Sequence, residues 1–339
     1  MIKPSISLLV PVYNEGNHIK YCMDAIIVQD YPQELIEIIV ADGMSSDNTR
    51  EIIKDFQQKN PNIIFLDNPG RIVPTGMNVA LRQAKGDIII RVDGHCVIEH
   101  DYVSKCVEHL VNDSVDGVGG PMETIGVTPL SQTIALAMSS SFGVGNSAFR
   151  TITGKTMLVD TIPFPAYTRS IIQIAGLYDE ELVRNQDDEY NYRIRELGGK
   201  LLLAKDVRSK YYSRGSLIRL WKQYFQYGFY KVRVLQKHPR QMSLRQFVPP
   251  FFVLSLLIAI MLALAVKWGW MVLAVLAGSY TISNLSASIW TGAKKGWQHV
   301  WLLPFVFTTI HTSYGTGFLL GLLKFYNRWD DKNGKIPVN

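Results

Sequence analysis

From residue 7 to residue 92 the chain alternates β-branched runs with polar stretches of helical character, and each run ends in a cluster of polar residues. The runs 7–12, 36–41, 63–66 and 88–92 predict strands, and 17–28, 49–59 and 75–84 predict the helices between them. Strands alternating with helices in this order predict a parallel sheet covered by helices. Ligands of such sheets bind beyond the carboxyl ends of the strands. The polar clusters fall there: Tyr13, Asn14 and Glu15, then Asp42 to Thr49, then Asn68 to Arg71, then Asp93 to His95.

The last cluster carries the strongest chemistry. Residues 87–95 read Asp-Ile-Ile-Ile-Arg-Val-Asp-Gly-His, a run with the character of a buried parallel strand that closes on a carboxylate, a glycine and an imidazole. Side chains two apart on an extended strand share a side, so Asp93 and His95 suit one divalent cation, with Gly94 admitting a bulky ligand close to the backbone. An oxygen plus a nitrogen donor fits Mn²⁺, and Mg²⁺ is the alternative. The residues alone equally allow a strand running into an ordinary polar turn. In the first loop Pro11 can end strand pairing, and Asn14 and Glu15 offer acceptors. In the second, Asp42 precedes a turn glycine and a helix-capping Asp or Asn, a set that also describes a plain capped loop.

Composition separates the rest of the chain from this half. A 339-residue chain with 47% hydrophobic residues and a mean hydropathy of +0.06 is too apolar to be soluble throughout. The excess lies after residue 246, in segments 247–266, 270–290 and 300–323, each with about the 20 residues that cross a bilayer as a helix. The second is interrupted by Ser279, Thr281, Ser283, Asn284, Ser286 and Ser288, the third by Pro304 and His311. Three spans would put Lys324, Arg328, Lys332 and Lys335 on the far side, against the positive-inside tendency; two spans with an embedded third segment would not. The net charge of +6 and pI near 9.0 trace partly to Lys231, Arg233, Lys237, Arg240 and Arg245, just ahead of the first apolar segment. Anionic lipid headgroups are the expected partner there, and nucleic acid is not. No basic stretch followed by a long apolar core opens the chain, so the first 230 residues are expected in the cytosol. Cys22, Cys96 and Cys106 are odd in number and lack paired spacing, which predicts reduced, structural thiols. Gly154-Lys155-Thr156 ends like a phosphate-binding loop, but Phe149 occupies the upstream glycine position.

Taken together, Pro11-Val12-Tyr13-Asn14-Glu15, the Asp42–Thr49 loop and Asp93-Gly94-His95 resemble the nucleotide-binding half of inverting family 2 glycosyltransferases of the type A fold, over residues 5–230. The resemblance implies a Rossmann-like, mainly parallel sheet with helices on both faces, followed by C-terminal transmembrane helices. It divides the chain into a cytosolic domain, 1–230 (1–100 nucleotide-binding half, 101–215 acceptor half, leading into an interfacial helix region, 216–246), membrane segments at 247–323 and a tail at 324–339. It assigns the uridine to Pro11, Tyr13, Glu15 and Asp42, the ribose and phosphate side to Asp93, and the metal to Asp93 and His95. Histidine in place of the usual second Asp is similar to the succinoglycan-type exopolysaccharide glucosyltransferases, as are Gly119-Gly120-Pro121, Ser141 to Asn146, and Asn185 to Arg193. A neutral imidazole is the metal-binding form, so activity is expected to fall at acidic pH.

Inverting transfer needs a base for the acceptor hydroxyl. By the resemblance that base is Asp187, with Gln186 where the family has Glu and Asp188 as the alternative; a solvated helix start is the plain reading of the same acids. By the resemblance Arg169 marks a loop expected to face donor and acceptor; a buried structural arginine is the equal alternative. Residues 216–231, aromatic and basic, suit an interfacial helix. There Gln223-Tyr224-Phe225-Gln226-Tyr227 stands where processive synthases carry Gln-X-X-Arg-Trp, and the loss of Arg and Trp predicts addition of one sugar. The expected activity is transfer of a hexose from a UDP-sugar, UDP-glucose favoured, to a lipid-linked glycan at the inner membrane, alongside other glycan-assembly proteins. A polyprenyl-phosphate sugar synthase and a non-catalytic nucleotide-sugar-binding assembly protein are the alternatives.

Overall fold

The computed structural model describes residues 3–145, 147–152, 154–213 and 215–331. Asn146, Lys332 and Lys335, named above, lie outside them. The described residues divide into two compact units, 3–123 with 148–212, and 124–147 with 213–331.

The strands are β1 (Ile6–Val12), β2 (Ile36–Asp42), β3 (Ile63–Asp67), β4 (Ile88–Arg91), β5 (Cys96–Ile98), β6 (Gly117–Gly119), β7 (Met122–Ile125), β8 (Met157–Leu158), β9 (Ala166–Thr168), β10 (Leu201–Leu203) and β11 (Ser209–Tyr212). Eight of them form one sheet in the order β3-β2-β1-β4-β9-β6-β10-β8. β3, β2, β1 and β4 are parallel neighbours, as the alternating pattern predicts. The remainder is mixed, because β9 runs antiparallel to both β4 and β6 and β8 runs antiparallel to β10. All seven residues of β1 are buried, as befits the inner strand of a sheet covered on both faces. Leu9, Ile39, Ala80, Ile89, Tyr167, Tyr190 and Ile194 share its core, where Tyr178 stacks on Tyr190 at 4.0 Å.

The crossover helices are Ile19–Ile27, Thr49–Lys59 and Val73–Gln83. The third starts two residues before its expected position because Pro74 suits a first helical turn, where no N–H bond is needed. β1 leads to β2 on one side and pairs with β4 on the other, so the strand order reverses between β1 and β4. A crevice opens at such a switch point. The three cysteines are buried and free, and burial pushes their thiols up, in accord with a structural role.

The second unit is helical. Helix Leu217–Lys237 packs along Leu303–Lys324 through small residues: a Cβ on Gly228 would stand 2.1 Å from the Tyr314 carbonyl oxygen, and one on Gly317 2.1 Å from that of Phe225. Two helical stretches, Leu244–Ala265 with 22 residues and Gly269–Lys295 with 27, are long and apolar enough to cross a membrane. Phe251, Leu264, Val275, Ile282 and Trp290 are among their exposed apolar side chains. The third apolar segment differs, since Leu303, Val306, Phe307, Ile310 and Phe318 of its helix are buried within the unit. Of the polar residues of the second segment, Asn284 meets it there, donating to the Thr308 hydroxyl and the Pro304 carbonyl, both at 3.0 Å, whereas Ser279, Thr281, Ser283 and Ser286 are exposed.

The basic cluster is a correction. Lys231, Arg233 and Lys237 are buried, and the Arg233 guanidinium donates to the carbonyls of Arg328 and Asp331 at 3.1 Å. They lie inside the packing, with only Arg240 exposed and Arg245 half-buried. Charge counted along the sequence does not reveal which side of a helix it occupies.

Candidate active site

The site grows from three chain segments at the carboxyl ends of β1, β2 and β4. After β1, Asn14 takes a left-handed conformation (φ 53°), which Asn tolerates better than most residues. Its N–H donates to the Ser45 hydroxyl at 2.8 Å and its side-chain oxygen accepts from the Ser46 N–H at 2.8 Å. Glu15 N–H donates to the Thr49 hydroxyl at 2.8 Å and Gly16 N–H to the Asp47 carboxylate at 3.0 Å. The loops after β1 and β2 are thus stitched together. Pro11 is buried beside β2, and Tyr13 is exposed at the loop surface.

Asp42 is fully buried at the end of β2. Its carboxylate accepts from the Ser45 N–H at 3.0 Å, from the Ser45 hydroxyl and from Arg50, whose other nitrogen reaches Asp67 at 2.7 Å. A buried carboxylate requires such partners. Asp42 therefore fixes the loop, and Arg50 is a residue the sequence reading missed.

β4 ends at Arg91, two residues before Asp93, and the turn is closed by a Cys96 N–H bond to the Asp93 carbonyl at 2.8 Å. Asp93 and His95 are neighbours through this turn, where strand alternation had been expected to set them side by side. The Asp93 carboxylate receives Arg91 as a fork, Nε to Oδ1 at 2.8 Å and Nη2 to Oδ2 at 3.3 Å. Burial raises the Asp93 carboxyl, but the Arg91 guanidinium, followed by His95 and Arg184, outweighs burial and holds it below the ordinary carboxylate range. Burial likewise works against the charge of Arg91, and the neighbouring Asp93 and then Asp187 more than restore it. Arg91 is the second missed residue, although a lone charge inside a β-branched run was its visible signal.

His95 holds the Glu15 carboxylate, Nδ1 to Oε1 at 2.8 Å, and meets the edge of the Tyr211 ring at 5.1 Å between centroids. Tyr211 is delivered by the antiparallel pairing of β11 with β5, opposite Cys96. The approach of the β4 turn to β1 needs Gly94, since a Cβ there would stand 2.7 Å from Val12 Cγ1.

Helix Gln186–Glu196 brings the acidic motif. Asp187 is exposed, accepts from the Asp188 N–H at 3.0 Å, and lies near enough to Arg91 for its charge to be felt there. Asp188 is half-buried. Glu189 is buried and forks with Arg193, so that acid is structural.

Two further residues were assigned by the resemblance. Arg169 donates to the carbonyls of Gly86 at 2.6 Å and Ala84 at 3.0 Å, at the start of β4 and so at the opposite end of the strand from Asp93. It braces the loop before β4, and its expected place facing donor and acceptor is corrected. Gln223 belongs to the second unit, buried in helix Leu217–Lys237 with its amide donating to the Tyr227 hydroxyl at 2.9 Å.

The β4 turn presents one carboxylate, Asp93, already forked by Arg91, and one imidazole, His95. Among the described residues no three His, Cys, Asp or Glu side chains cluster closely enough to hold an ion by themselves. At nucleotide sites Mg²⁺ is commonly held by one or two carboxylates, with substrate phosphates and water completing the shell.

Comparison with known proteins gives the same answer from another direction. Succinoglycan biosynthesis protein ExoA of Rhizobium meliloti (strain 1021) is 29% identical over 330 residues, 95% of this chain and 96% of the relative. The dolichyl N-acetyl-α-D-glucosaminyl phosphate 3-β-D-2,3-diacetamido-2,3-dideoxy-β-D-glucuronosyltransferase of Methanococcus voltae is 29% identical over 240 residues, 68% of this chain and 74% of that protein. Among solved structures, mannosyltransferase PcManGT of Pyrobaculum calidifontis, in complex with GDP-Man and Mn²⁺, superposes with a TM-score of 0.61 at 18% identity, covering 96% of this chain and 88% of its own. It shares the type A glycosyltransferase fold. Residues 7–174 match the model of the family described as Glycosyl transferase family 2, the span that holds β1 to β4, the Asp93–His95 turn and β9. The chain therefore carries a glycosyl transferase family 2 domain over residues 7–174.

Proposed function

We propose that this glycosyltransferase moves one hexose from a UDP-sugar, UDP-glucose favoured, to a lipid-linked glycan at the cytosolic face of the cell membrane, with inversion, in building exopolysaccharide, capsule or a similar envelope glycan. The observation that carries the reading is the convergence at the β1/β4 switch point: Arg91 forks with Asp93 and feels the charge of the exposed Asp187, and His95 closes on the loop of β1. Asp187 takes the proton of the acceptor hydroxyl while that oxygen bonds to the anomeric carbon and the bond to the diphosphate breaks on the opposite face. Arg91 fixes the Asp93 carboxylate and keeps its repulsion of Asp187 in check. Pro11 and Tyr13 take the uridine side, and Asp42, tied to Ser45 and Arg50, sets the loop beneath it. Asp93 and His95 would hold Mn²⁺ or Mg²⁺, which supplies positive charge to the departing diphosphate when bound.

A lipid-linked acceptor is supported by the two helices of membrane-crossing length and by the dolichyl-phosphate-linked sugar in the name of the Methanococcus relative. A role in exopolysaccharide assembly is supported by the Rhizobium relative. These helices would make the chain a multi-pass protein, with the sheet unit in the cytosol and other glycan-assembly proteins as neighbours. Gln226 and Tyr227, in place of Arg and Trp, support a single addition.

The test offers labelled nucleotide sugars and Mn²⁺ to the full-length protein, with a polyprenyl-diphosphate oligosaccharide or polyprenyl phosphate as acceptor, followed by linkage analysis. The expected product is one β-linked glucose from UDP-glucose on the oligosaccharide. Label on polyprenyl phosphate alone, transfer from a GDP-sugar in preference to UDP-sugars, or donor binding without turnover overturns the proposal.

A further inference from the structure

We infer that Glu15 is a positioning residue for His95: its carboxylate accepts the Nδ1 proton and fixes the tautomer in which Nε2 keeps the lone pair that a divalent cation requires. The inference rests on the metal role proposed for His95 and reassigns Glu15, which family resemblance places on the uridine.

Four features of this chain support it. The Nδ1 to Oε1 distance is 2.8 Å, and both side chains are largely shielded, 16% exposed for His95 and 19% for Glu15, so water competes weakly for the contact. Glu15 is itself immobilised from both ends of its peptide, its N–H on the Thr49 hydroxyl at 2.8 Å and its carbonyl accepting from the N–H groups of His18 and Ile19 at 2.8 Å. The imidazole is steadied by the Tyr211 ring edge. Gly94 makes the contact sterically possible, because a Cβ there would press 2.7 Å from Val12 Cγ1 and 3.4 Å from Glu15 Cγ. An imidazole whose Nδ1–H is committed to a carboxylate presents Nε2 as a more basic and better-oriented ligand. A Glu15 oxygen engaged this way also has less to offer a nucleotide. The juxtaposition follows from topology, since β1 and β4 are the strands on either side of the switch point.

The test titrates Mn²⁺ alone into the detergent-solubilised full-length protein, reading free Mn²⁺ by electron paramagnetic resonance. In parallel, ¹⁵N NMR of the His95 ring at one fixed alkaline pH reports the tautomer, and metal-free UDP binding is measured. Glu15→Ala is expected to weaken Mn²⁺ binding about 10- to 100-fold, the range found on removing partners of ligating histidines. It should also shift His95 from the Nδ1–H toward the Nε2–H form that free imidazole side chains favour, and leave UDP binding intact. Glu15→Gln, isosteric and able to accept one hydrogen bond, is expected to fall between Glu15→Ala and the parent, and it preserves the test if the alanine variant folds poorly. His95→Ala should lose Mn²⁺ binding. If His95→Ala loses the ion while both Glu15 variants bind it like the parent, this inference fails and the metal reading stands. If Mn²⁺ binds the parent and His95→Ala alike, or neither, the metal reading fails and takes the inference with it. Loss of UDP binding in Glu15→Ala with an unchanged tautomer returns Glu15 to the nucleotide and overturns the inference.

Discussion

Two places in the sheet unit set one cation against two carboxylates, and they differ in what surrounds them. At the end of β4, buried Arg91 forks with Asp93 and feels the charge of Asp187. On helix Tyr102–Asn112, His109 lies between Asp113 at 2.6 Å and Asp206 at 2.9 Å, near the surface. The first has its cation 6% exposed, where ligands of this fold bind; the second has a half-buried imidazole, 19% exposed, held by carboxylates that stand 45% and 39% exposed. Similar geometry in unlike dielectrics should give unlike energies, because screening erodes an exposed pair while a buried charge depends on its partners. Mutating each cluster therefore tests whether location, and not the count of ion pairs, sets importance.

The largest effect is expected at Arg91. Arg91→Met leaves the half-buried Asp93 carboxylate without its fork and should cost up to about 3–5 kcal/mol of stability, read by chemical denaturation. A loss no larger than that of His109→Gln would break the comparison. Arg91→Lys keeps the charge but not the two-pronged geometry, and the expected loss is about 1–3 kcal/mol, that of a hydrogen bond to a charged group. The smallest effect is at His109. Burial lowers its proton affinity, but the Asp113 and Asp206 hydrogen bonds outweigh this and raise it above the usual histidine value. A raised folded value means the contribution is fully present below the ordinary histidine range and is lost as pH rises through the raised value. Solvent screening keeps it to about 0.5 kcal/mol. His109→Gln should flatten the dependence of melting temperature just above the ordinary histidine range, whereas a slope equal to the parent's would assign that dependence to other groups.

The parallel half of the sheet was legible in the sequence because β-branched runs and helix periods report directly on burial. Boundaries there moved by two residues or fewer. β9 was hidden, since Ala166–Thr168 is three residues long and too short to show alternation, yet it turns the sheet from parallel to mixed. Asp93 and His95 were found for the wrong local reason: a tight turn, and not strand alternation, makes them neighbours. Arg169 was placed by resemblance alone, with a structural arginine as the equal alternative, and the backbone carbonyls of residues 84 and 86 claim it, a pairing no sequence spacing encodes. The third apolar segment had the length of a span, and its glycines carried the contrary signal, since Gly317 lets the Phe225 carbonyl approach closely.

Asp187 makes the most direct test of the central claim that the acids gathered around Arg91 perform sugar transfer. In full-length protein, transfer of labelled glucose from UDP-glucose to the lipid-linked oligosaccharide is compared for the parent, Asp187→Asn and Asp188→Asn, with UDP binding measured on each. The account predicts a fall of about 10²- to 10⁴-fold for Asp187→Asn, the usual contribution of a general base, with UDP binding unchanged and a lesser effect for Asp188→Asn. Transfer by Asp187→Asn at the parent rate would contradict it.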